Sequence, residues 1–275
     1  RFGTIAVPAA DRYIRRAIEL TGEYSGAEID LYQALLEPGD VAVDVGANVG
    51  VFSIAMGLSV GSTGRVLSFE PQPPIFELLK LNLAAAGLTN VEAHRAVVAE
   101  AAGSVAFADV RSLPAGKEVN FGAVGLHTRI ADTFGTMVAT PVMTLDALGL
   151  VRCDFLKIDA EGSEHAVLAG ARRALERSRP LLCVECDRPD TAGVLVDPLL
   201  QAGYRLWRFR GANMRTPNPK GASLDGHGRI SVLMLLAVPV ERLARMDRVD
   251  TSPLQPVDSR AGFERLSTGI VKDRL

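Results

Sequence analysis

A short apolar run that ends at a glycine-bearing corner limits the fold of this chain more than any other feature. Residues Val41 to Val45 are mostly β-branched and lack helical spacing, which is typical of a buried strand. Gly46 to Gly50 predicts a turn, and Val51 to Val60 predicts a helix directly after it. A strand that passes through a corner into a helix is typical of sheets in which parallel strands alternate with helices.

The same alternation continues along the chain. Further strands are expected between helices at Arg65 to Glu70, Val91 to Val98, Phe155 to Asp159 and Leu181 to Glu185. Two final strands, Tyr204 to Phe209 and Ile230 to Val238, have no helix between them, which predicts an antiparallel pair. We therefore predict an α/β fold: a Rossmann-like, doubly wound, mostly parallel seven-stranded sheet with an antiparallel edge hairpin.

Composition and charge limit the domain organisation and the partners. The 275 residues carry 30 Lys plus Arg against 32 Asp plus Glu, a net charge of −2. We expect a helical segment at 1–38 that packs on a main domain at 39–240, followed by a charged tail at 241–275. Without a long basic block or about 20 consecutive apolar residues, neither nucleic acid nor a membrane is an expected partner. Three cysteines make no disulfide scaffold, so we expect a cytoplasmic protein, and a homo-oligomer remains open.

The side chains around the corner suit a nucleoside ligand that carries an amino acid. Gly46 and Gly50 remove side chains where a ligand would touch the backbone. Asp44, near the end of the strand, can receive an ammonium group, and Glu70, at the end of the next strand, can accept both ribose hydroxyls. Asn48 completes the corner at the position where a dinucleotide fingerprint has its middle glycine.

This spacing favours S-adenosyl-methionine over a nicotinamide cofactor, because an acid before the corner suits an ammonium group better than a diphosphate. The residues Ala96 and Val97, after the third strand, are expected to border the adenine. Two other functions stay open: a nicotinamide-dependent oxidoreductase, and a non-catalytic module that binds S-adenosyl-methionine. A glycine turn by itself is a weak signal, since many such turns only close a corner between a strand and a helix.

Several segments, in order and at sensible distances between Gly22 and Val238, resemble the FkbM family of methyltransferases. They are Pro38-Gly-Asp40, Val43-Asp-Val-Gly-Ala-Asn-Val-Gly50, Ser68-Phe-Glu-Pro71, Thr144-Leu-Asp-Ala-Leu148 and Leu156-Lys-Ile-Asp-Ala-Glu-Gly-Ser-Glu164. The resemblance implies a class I methyltransferase fold and S-adenosyl-methionine as donor, with S-adenosyl-homocysteine as product. It also implies O-methylation of a hydroxyl on a small natural product or saccharide.

Acidic side chains gather where the fourth and fifth strands end. Asp159, Glu161 and His165 are the candidates for accepting the proton that an attacking alcohol must lose. Two alternatives compete: acids in a first helical turn often cap the helix, and Asp159 with Glu185 and Asp187 offers oxygen ligands of the kind Mg²⁺ prefers. We predict no metal site, because no metal motif is spaced tightly enough to be specific. Mg²⁺ stays possible but is not favoured.

Two further segments have both a structural and a functional interpretation. Lys157 should share a strand face with Asp159 and pair with it or with a neighbouring acid, although it could instead orient substrate. The long polar stretch from Arg208 to Arg229 is either a lid over the acceptor or a floppy hairpin tip. His127 could line the pocket, whereas Cys183 and Cys186 are expected to be core thiols.

Overall fold

The structure, a computed structural model, describes residues 2–109, 120–123, 136–187, 189–225 and 231–267. Its central sheet contains β1 (Val41–Val45), β2 (Arg65–Phe69), β3 (Val91–His94), β7 (Phe155–Ile158), β8 (Leu181–Glu185), β9 (Tyr204–Ala212), β10 (Ser231–Pro239) and β11 (Leu254–Val257). A smaller sheet contains β4 (Val97–Val98), β5 (Gly103–Ala108) and β6 (Met137–Met143). His127 lies outside the described residues.

Helices flank the central sheet. The α-helices are α1 (Ile14–Thr21), α2 (Gly26–Leu35), α3 (Val51–Val60), α4 (Pro73–Ala85), α5 (Glu164–Ala169), α6 (Arg172–Ser178), α7 (Pro189–Gln201) and α8 (Arg260–Ser267). Short 3₁₀ helices cover Phe121–Ala123, Leu145–Leu148 and Val240–Arg248. Within the described ranges, no helix has both the length and the apolar content that crossing a bilayer requires.

The central sheet has the order β11-β9-β10-β8-β7-β1-β2-β3. The pairs among β3, β2, β1, β7 and β8 are parallel, and β10 runs antiparallel to both β8 and β9. The α/β class, the mostly parallel sheet and the antiparallel edge are confirmed. The sheet has eight strands and not the predicted seven, because Leu254–Val257, from the segment expected to be a tail, pairs antiparallel with β9.

One predicted strand divides at the end of the parallel sheet. The apolar run from Val91 to Val98 predicts a single strand, but pairing with β2 ends at His94. Val97 and Val98 pair instead with β6 of the smaller sheet, and Ala96 lies at the change of direction between the two. A run of residues that all favour strands cannot show where the chain exchanges one partner strand for another.

Alternation along the strands divides the core into two layers. Ala42 and Phe155 belong to the layer that includes Phe52 and Tyr32, whereas Val43 and the residues that alternate with it belong to the opposite layer. Because successive side chains of a strand point to opposite faces, Asp44 and its register partner Lys157 lie on the face of Ala42 and Phe155. Two polar side chains are thereby placed beneath helices α2 and α3, in an otherwise apolar layer.

Segments before and after the parallel sheet are held by specific side chains. The amide of Asn82 in α4 binds both backbone groups of Ala6 and also the carbonyl of Val49. At the other end, Arg245 of the 3₁₀ helix Val240–Arg248 pairs with Asp40 at 2.7 Å, and Phe263 of α8 is buried. The chain on both sides of the parallel sheet therefore packs against it.

Candidate functional site

The glycine corner is fastened between two strand ends. The N–H groups of Gly46 and Ala47 donate to the carbonyl of Phe69, the last residue of β2, at 3.0 and 2.9 Å. Gly46 has a φ of +81°, and a Cβ added there would lie 1.9 Å from the carbonyl oxygen of Asp159. Glycine is therefore required at this point for two reasons: the left-handed backbone, and the approach of the loop that follows β7.

Glu70 is held in one orientation beside this corner. Its two carboxylate oxygens accept hydrogen bonds from the N–H groups of Asn48 and Gln72, both at 2.9 Å. Burial raises the pKa of Glu70 to about 7, although these backbone hydrogen bonds act in the opposite direction. A buried acid at the end of β2, fixed by the corner itself, suits recognition of a diol.

A short segment that the sequence analysis missed lies against the same corner. The side-chain amide of Gln72 donates to the carbonyl of Phe121 at 2.9 Å. Gly122 faces the side chain of Asn48, with its ideal Cβ position 3.6 Å from Asn48 Nδ2. No local pattern around Phe121 indicates this placement, since it follows from packing across a large sequence separation. Ala96 and Val97, predicted to border an adenine, are both buried.

Asp44 is part of a buried ionic network. One carboxylate oxygen accepts a 2.6 Å hydrogen bond from the Ser53 hydroxyl, and the other lies 3.3 Å from the ammonium of Lys157. Lys157 also lies 3.5 Å from a carboxylate oxygen of Asp159 and donates to the carbonyl of Gly46 at 3.0 Å. The expected pairing of Lys157 with an acid is present, and it joins the ends of β1 and β7. That Asp44 receives a ligand's ammonium group stays a prediction.

Burial alone would lower the pKa of Lys157, but the surrounding carboxylates, Asp44 foremost, raise it above its ordinary range. The lysine is therefore charged. A third acid, Glu28 of α2, contributes to this charge field. Glu28 accepts hydrogen bonds from the hydroxyls of Tyr32 and Ser25, and burial raises its pKa to about 7.

Glu28 was not among the residues predicted for the site, although the sequence contains one signal for it. Ser25 and Glu28 have the spacing of a capping box at the start of a helix. In the structure Ser25 has a positive φ of 50° and its hydroxyl donates to Glu28, so the pair orients the acid toward the sheet. The spacing could have located the pair, but not the proximity of Glu28 to Lys157.

Three carboxylates converge beyond the ends of β7 and β8. One oxygen each from Asp159, Glu161 and Glu185 lies within 4.8 Å of the others. This group differs from the Mg²⁺ ligands considered from the sequence, which were Asp159, Glu185 and Asp187. In the structure Glu161 is grouped with Asp159 and Glu185, and Asp187 is not. Oxygen ligands at this spacing suit a hard cation, but exposed acids often gather without one. A carboxylate in this position can also accept the proton that an alcohol loses when it is methylated.

His165 and its neighbour Glu164 have different environments. His165 is exposed on the first turn of α5, whereas Glu164 is buried and accepts hydrogen bonds from the N–H groups of Ala160 and Gly162. Glu164 therefore closes the loop that carries Asp159 and Glu161, and its role is structural. His165 stays a predicted proton acceptor, and Asp159 and Glu161 lie nearer to the corner.

Helices α1 and α2 pack with residues 213–225, and we call these three segments the cap. The Ser25 N–H donates to the carbonyl of Asn213 at 2.9 Å, and the guanidinium of Arg215 binds buried Glu23 at 2.8 Å and also Asp30. Met214 and Leu224 pack with Ala17 in a small apolar cluster. Of the Arg208–Arg229 stretch, residues up to Ala212 continue β9, and residues 213–225 are docked on the N-terminal helices and do not form a free hairpin tip.

A family model and several known proteins are similar to this chain. The family model for the methyltransferase FkbM domain matches residues 44–206. The methyltransferase sdnD of Sordaria araneosa is 30% identical over 194 residues, 61% of this chain and 74% of that protein. The antimetabolite synthetase AmbE of Pseudomonas aeruginosa is 28% identical over 277 residues, 88% of this chain but only 12% of the synthetase. A crystal structure of an FkbM methyltransferase from Methylobacillus flagellatus has 19% identity and a TM-score of 0.49, covering 81% of this chain and 50% of that one.

A doubly wound sheet with a glycine corner and an acid after its second strand defines the class of nucleoside-binding α/β enzymes. Within that class, the chain belongs to the FkbM methyltransferase family. It is a methyltransferase that depends on S-adenosyl-methionine. Family membership overturns the nicotinamide-dependent oxidoreductase that the corner alone had left open.

Proposed function

We propose that this protein transfers the methyl group of S-adenosyl-methionine to a hydroxyl oxygen of a small natural product or saccharide. The observation that carries the proposal is the fixed position of Glu70, a buried acid whose oxygens are aligned by two backbone N–H groups beside the glycine corner. Such a group is preorganised to accept hydrogen bonds from ribose hydroxyls.

The residues around Glu70 fit the remaining parts of the donor. Ala96 and Val97 offer an apolar wall for the adenine, and the corner at Gly46, which lies against the loop that carries Asp159, would face the amino-acid end. Asp44 and Asp159 carry the charge that suits an ammonium group. The donor supplies a methyl group already activated by its positive sulfur.

The chain's own residues then orient the acceptor and receive its proton. Asp159 and Glu161 lie on the loop after β7, beside the corner, and either carboxylate can accept the proton of an alcohol. Because the methyl group needs little further activation, holding the acceptor oxygen in line with it accounts for most of the rate.

The acceptor side is bounded by the cap. Tyr24 lies between helices α1 and α2 of the cap, and its ring is 6.4 Å from that of Phe52. Burial, and then the charge of Asp159, raise the pKa of Tyr24, so its hydroxyl stays protonated and available as a donor. A neutral methyl acceptor that carries oxygen atoms suits a surface that presents this hydroxyl. The similarity to part of an antimetabolite synthetase supports a natural-product acceptor over a macromolecule.

Calorimetry with S-adenosyl-homocysteine tests the donor half of the proposal. Glu70→Gln should weaken binding about 10–100-fold, because the amide has one accepting oxygen where the carboxylate has two. Glu92→Gln, which alters an exposed acid near the start of β3, is the matched control and should bind like the unaltered protein. Equal affinities in all three proteins would exclude Glu70 from the donor site.

The acceptor half needs a transfer assay. Radiolabelled donor would be incubated with a panel of hydroxylated metabolites and glycans, with and without a chelator. Methyl transfer to oxygen supports the proposal, and an equal rate with chelator argues against a need for Mg²⁺. Donor binding without transfer to any member of the panel would favour a non-catalytic binding module.

A further inference from the structure

Lys157 is a buried charged residue beside the site, and the function proposed above assigns it no role. Its side chain is 1% exposed, and its ammonium lies between Asp44 and Asp159 at 3.3 and 3.5 Å. It also donates to the Gly46 carbonyl and lies 5.1 Å from the ring centroid of Phe52. One ammonium therefore contacts both parts of the chain that meet at the corner.

Fold stability alone is a weak explanation for this lysine. Desolvating an ammonium and two carboxylates offsets most of their attraction, so buried ion pairs often contribute no more stability than apolar groups of similar size. The apolar layer around Phe52 and Phe155 would accommodate an uncharged side chain at this position if Asp44 were replaced with it, since Asp44 alone would be a buried unpaired charge. An apolar side chain, however, could not fix the directions of the Gly46 carbonyl and of the Asp44 and Asp159 carboxylates.

We infer that Lys157 is a positioning residue that sets the acceptor groups for the amino-acid end of the methyl donor. The inference rests on the proposed function, because it assumes that the donor binds over the corner. Lys157 donates a hydrogen bond to the Gly46 carbonyl, and its positive charge balances the negative charges of Asp44 and Asp159. The distances between these acceptor oxygens are therefore fixed. An ammonium group then meets acceptors that need no rearrangement.

The nucleoside end of the donor should depend on Lys157 much less. Glu70 is oriented by the N–H groups of Asn48 and Gln72. Burial raises the pKa of Glu70, and the charge of Lys157 opposes this rise only from a distance, since no hydrogen bond or ion pair among the described residues joins the two side chains. The two ends of one ligand are therefore controlled by different parts of the site. A ligand that lacks the amino-acid end therefore measures binding of the nucleoside end alone.

The test compares S-adenosyl-homocysteine with 5′-methylthioadenosine, which keeps the nucleoside and sulfur but has no amino acid. In Lys157→Met, calorimetry should show at least about tenfold weaker binding of S-adenosyl-homocysteine and less than about twofold weaker binding of methylthioadenosine. Glu70→Gln should weaken both ligands alike. Lys80→Met, which alters a half-exposed lysine of α4, should change neither affinity.

The pattern of affinities separates the possible failures. If the unaltered protein binds neither ligand, the proposed function is wrong. If it binds both and Lys157→Met keeps their affinity ratio, Lys157 has no positioning role. Lys157→Gln, which keeps a donor for the Gly46 carbonyl without the charge, replaces Lys157→Met if that variant does not fold, and should also lose the preference. Failure of both variants to fold would assign Lys157 to stability and overturn the inference.

Discussion

Replacing Gly46 with alanine should destabilise the fold through its left-handed backbone and through one steric contact. The added Cβ would lie 1.9 Å from the carbonyl oxygen of Asp159, a backbone atom that cannot rotate away. The positive φ costs an alanine roughly 1–2 kcal/mol, and forcing a packed contact apart typically costs a further ~1–3 kcal/mol. We therefore expect Gly46→Ala to lose about 2–5 kcal/mol, a large share of the roughly 5–15 kcal/mol of an ordinary domain.

Gly149→Ala is the matched control for the backbone part of this loss. Gly149 has a φ of +62°, but nothing lies within 4 Å of an added Cβ. Urea unfolding followed by far-ultraviolet circular dichroism gives the free energy of unfolding of each variant. The control should lose only about 1–2 kcal/mol. Equal losses in the two variants would show that the contact with Asp159 does not constrain the corner, and our account of the glycine would be wrong.

Three other outcomes are expected. Because burial raises the pKa of Glu28 from 4.5 to about 7, its native form keeps a proton that the unfolded chain loses over this window, so its contribution to stability falls as pH rises. Glu28→Gln should remove about 1.4 kcal/mol per pH unit of that dependence in urea unfolding, and an unchanged slope would contradict the assignment. Arg215→Met should leave Glu23 buried without its guanidinium, and limited trypsin digestion should then cut after Lys220, a site present in both proteins, faster than in the unaltered protein; equal rates of cleavage at Lys220 would mean that the ion pair does not hold the cap. The three buried cysteines, whose pKa values burial raises, should resist iodoacetamide until the chain unfolds, and mass spectrometry showing rapid alkylation of the native protein would refute their burial.

The parallel part of the fold was predictable because its signals are local. The strand Val41–Val45, the corner after it and the helix Val51–Val60 follow from β-branched residues, glycines and their spacing within a few positions. Glu70 could be placed near the corner for a related reason, since the carboxyl ends of neighbouring parallel strands share one edge of the sheet.

What the sequence did not predict depends on contacts between distant segments. The strand Leu254–Val257 contains a proline and lies in a charged region, and only its pairing with β9 makes it a strand. The position of Glu28 beside Lys157 likewise depends on how α2 packs over α3 and the sheet. A propensity read over a few residues carries no information about such partners.

The ion pair between Arg215 and Glu23 has a practical consequence for engineering. The family model spans residues 44–206, so both members of this pair fall outside it, on opposite sides. A chimera that exchanged only the first helices, or only the connection after β9, with those of a relative would leave one of the two charges facing a foreign surface. An exchange designed to change the methyl acceptor should therefore take the first helices and the connection after β9 from the same relative.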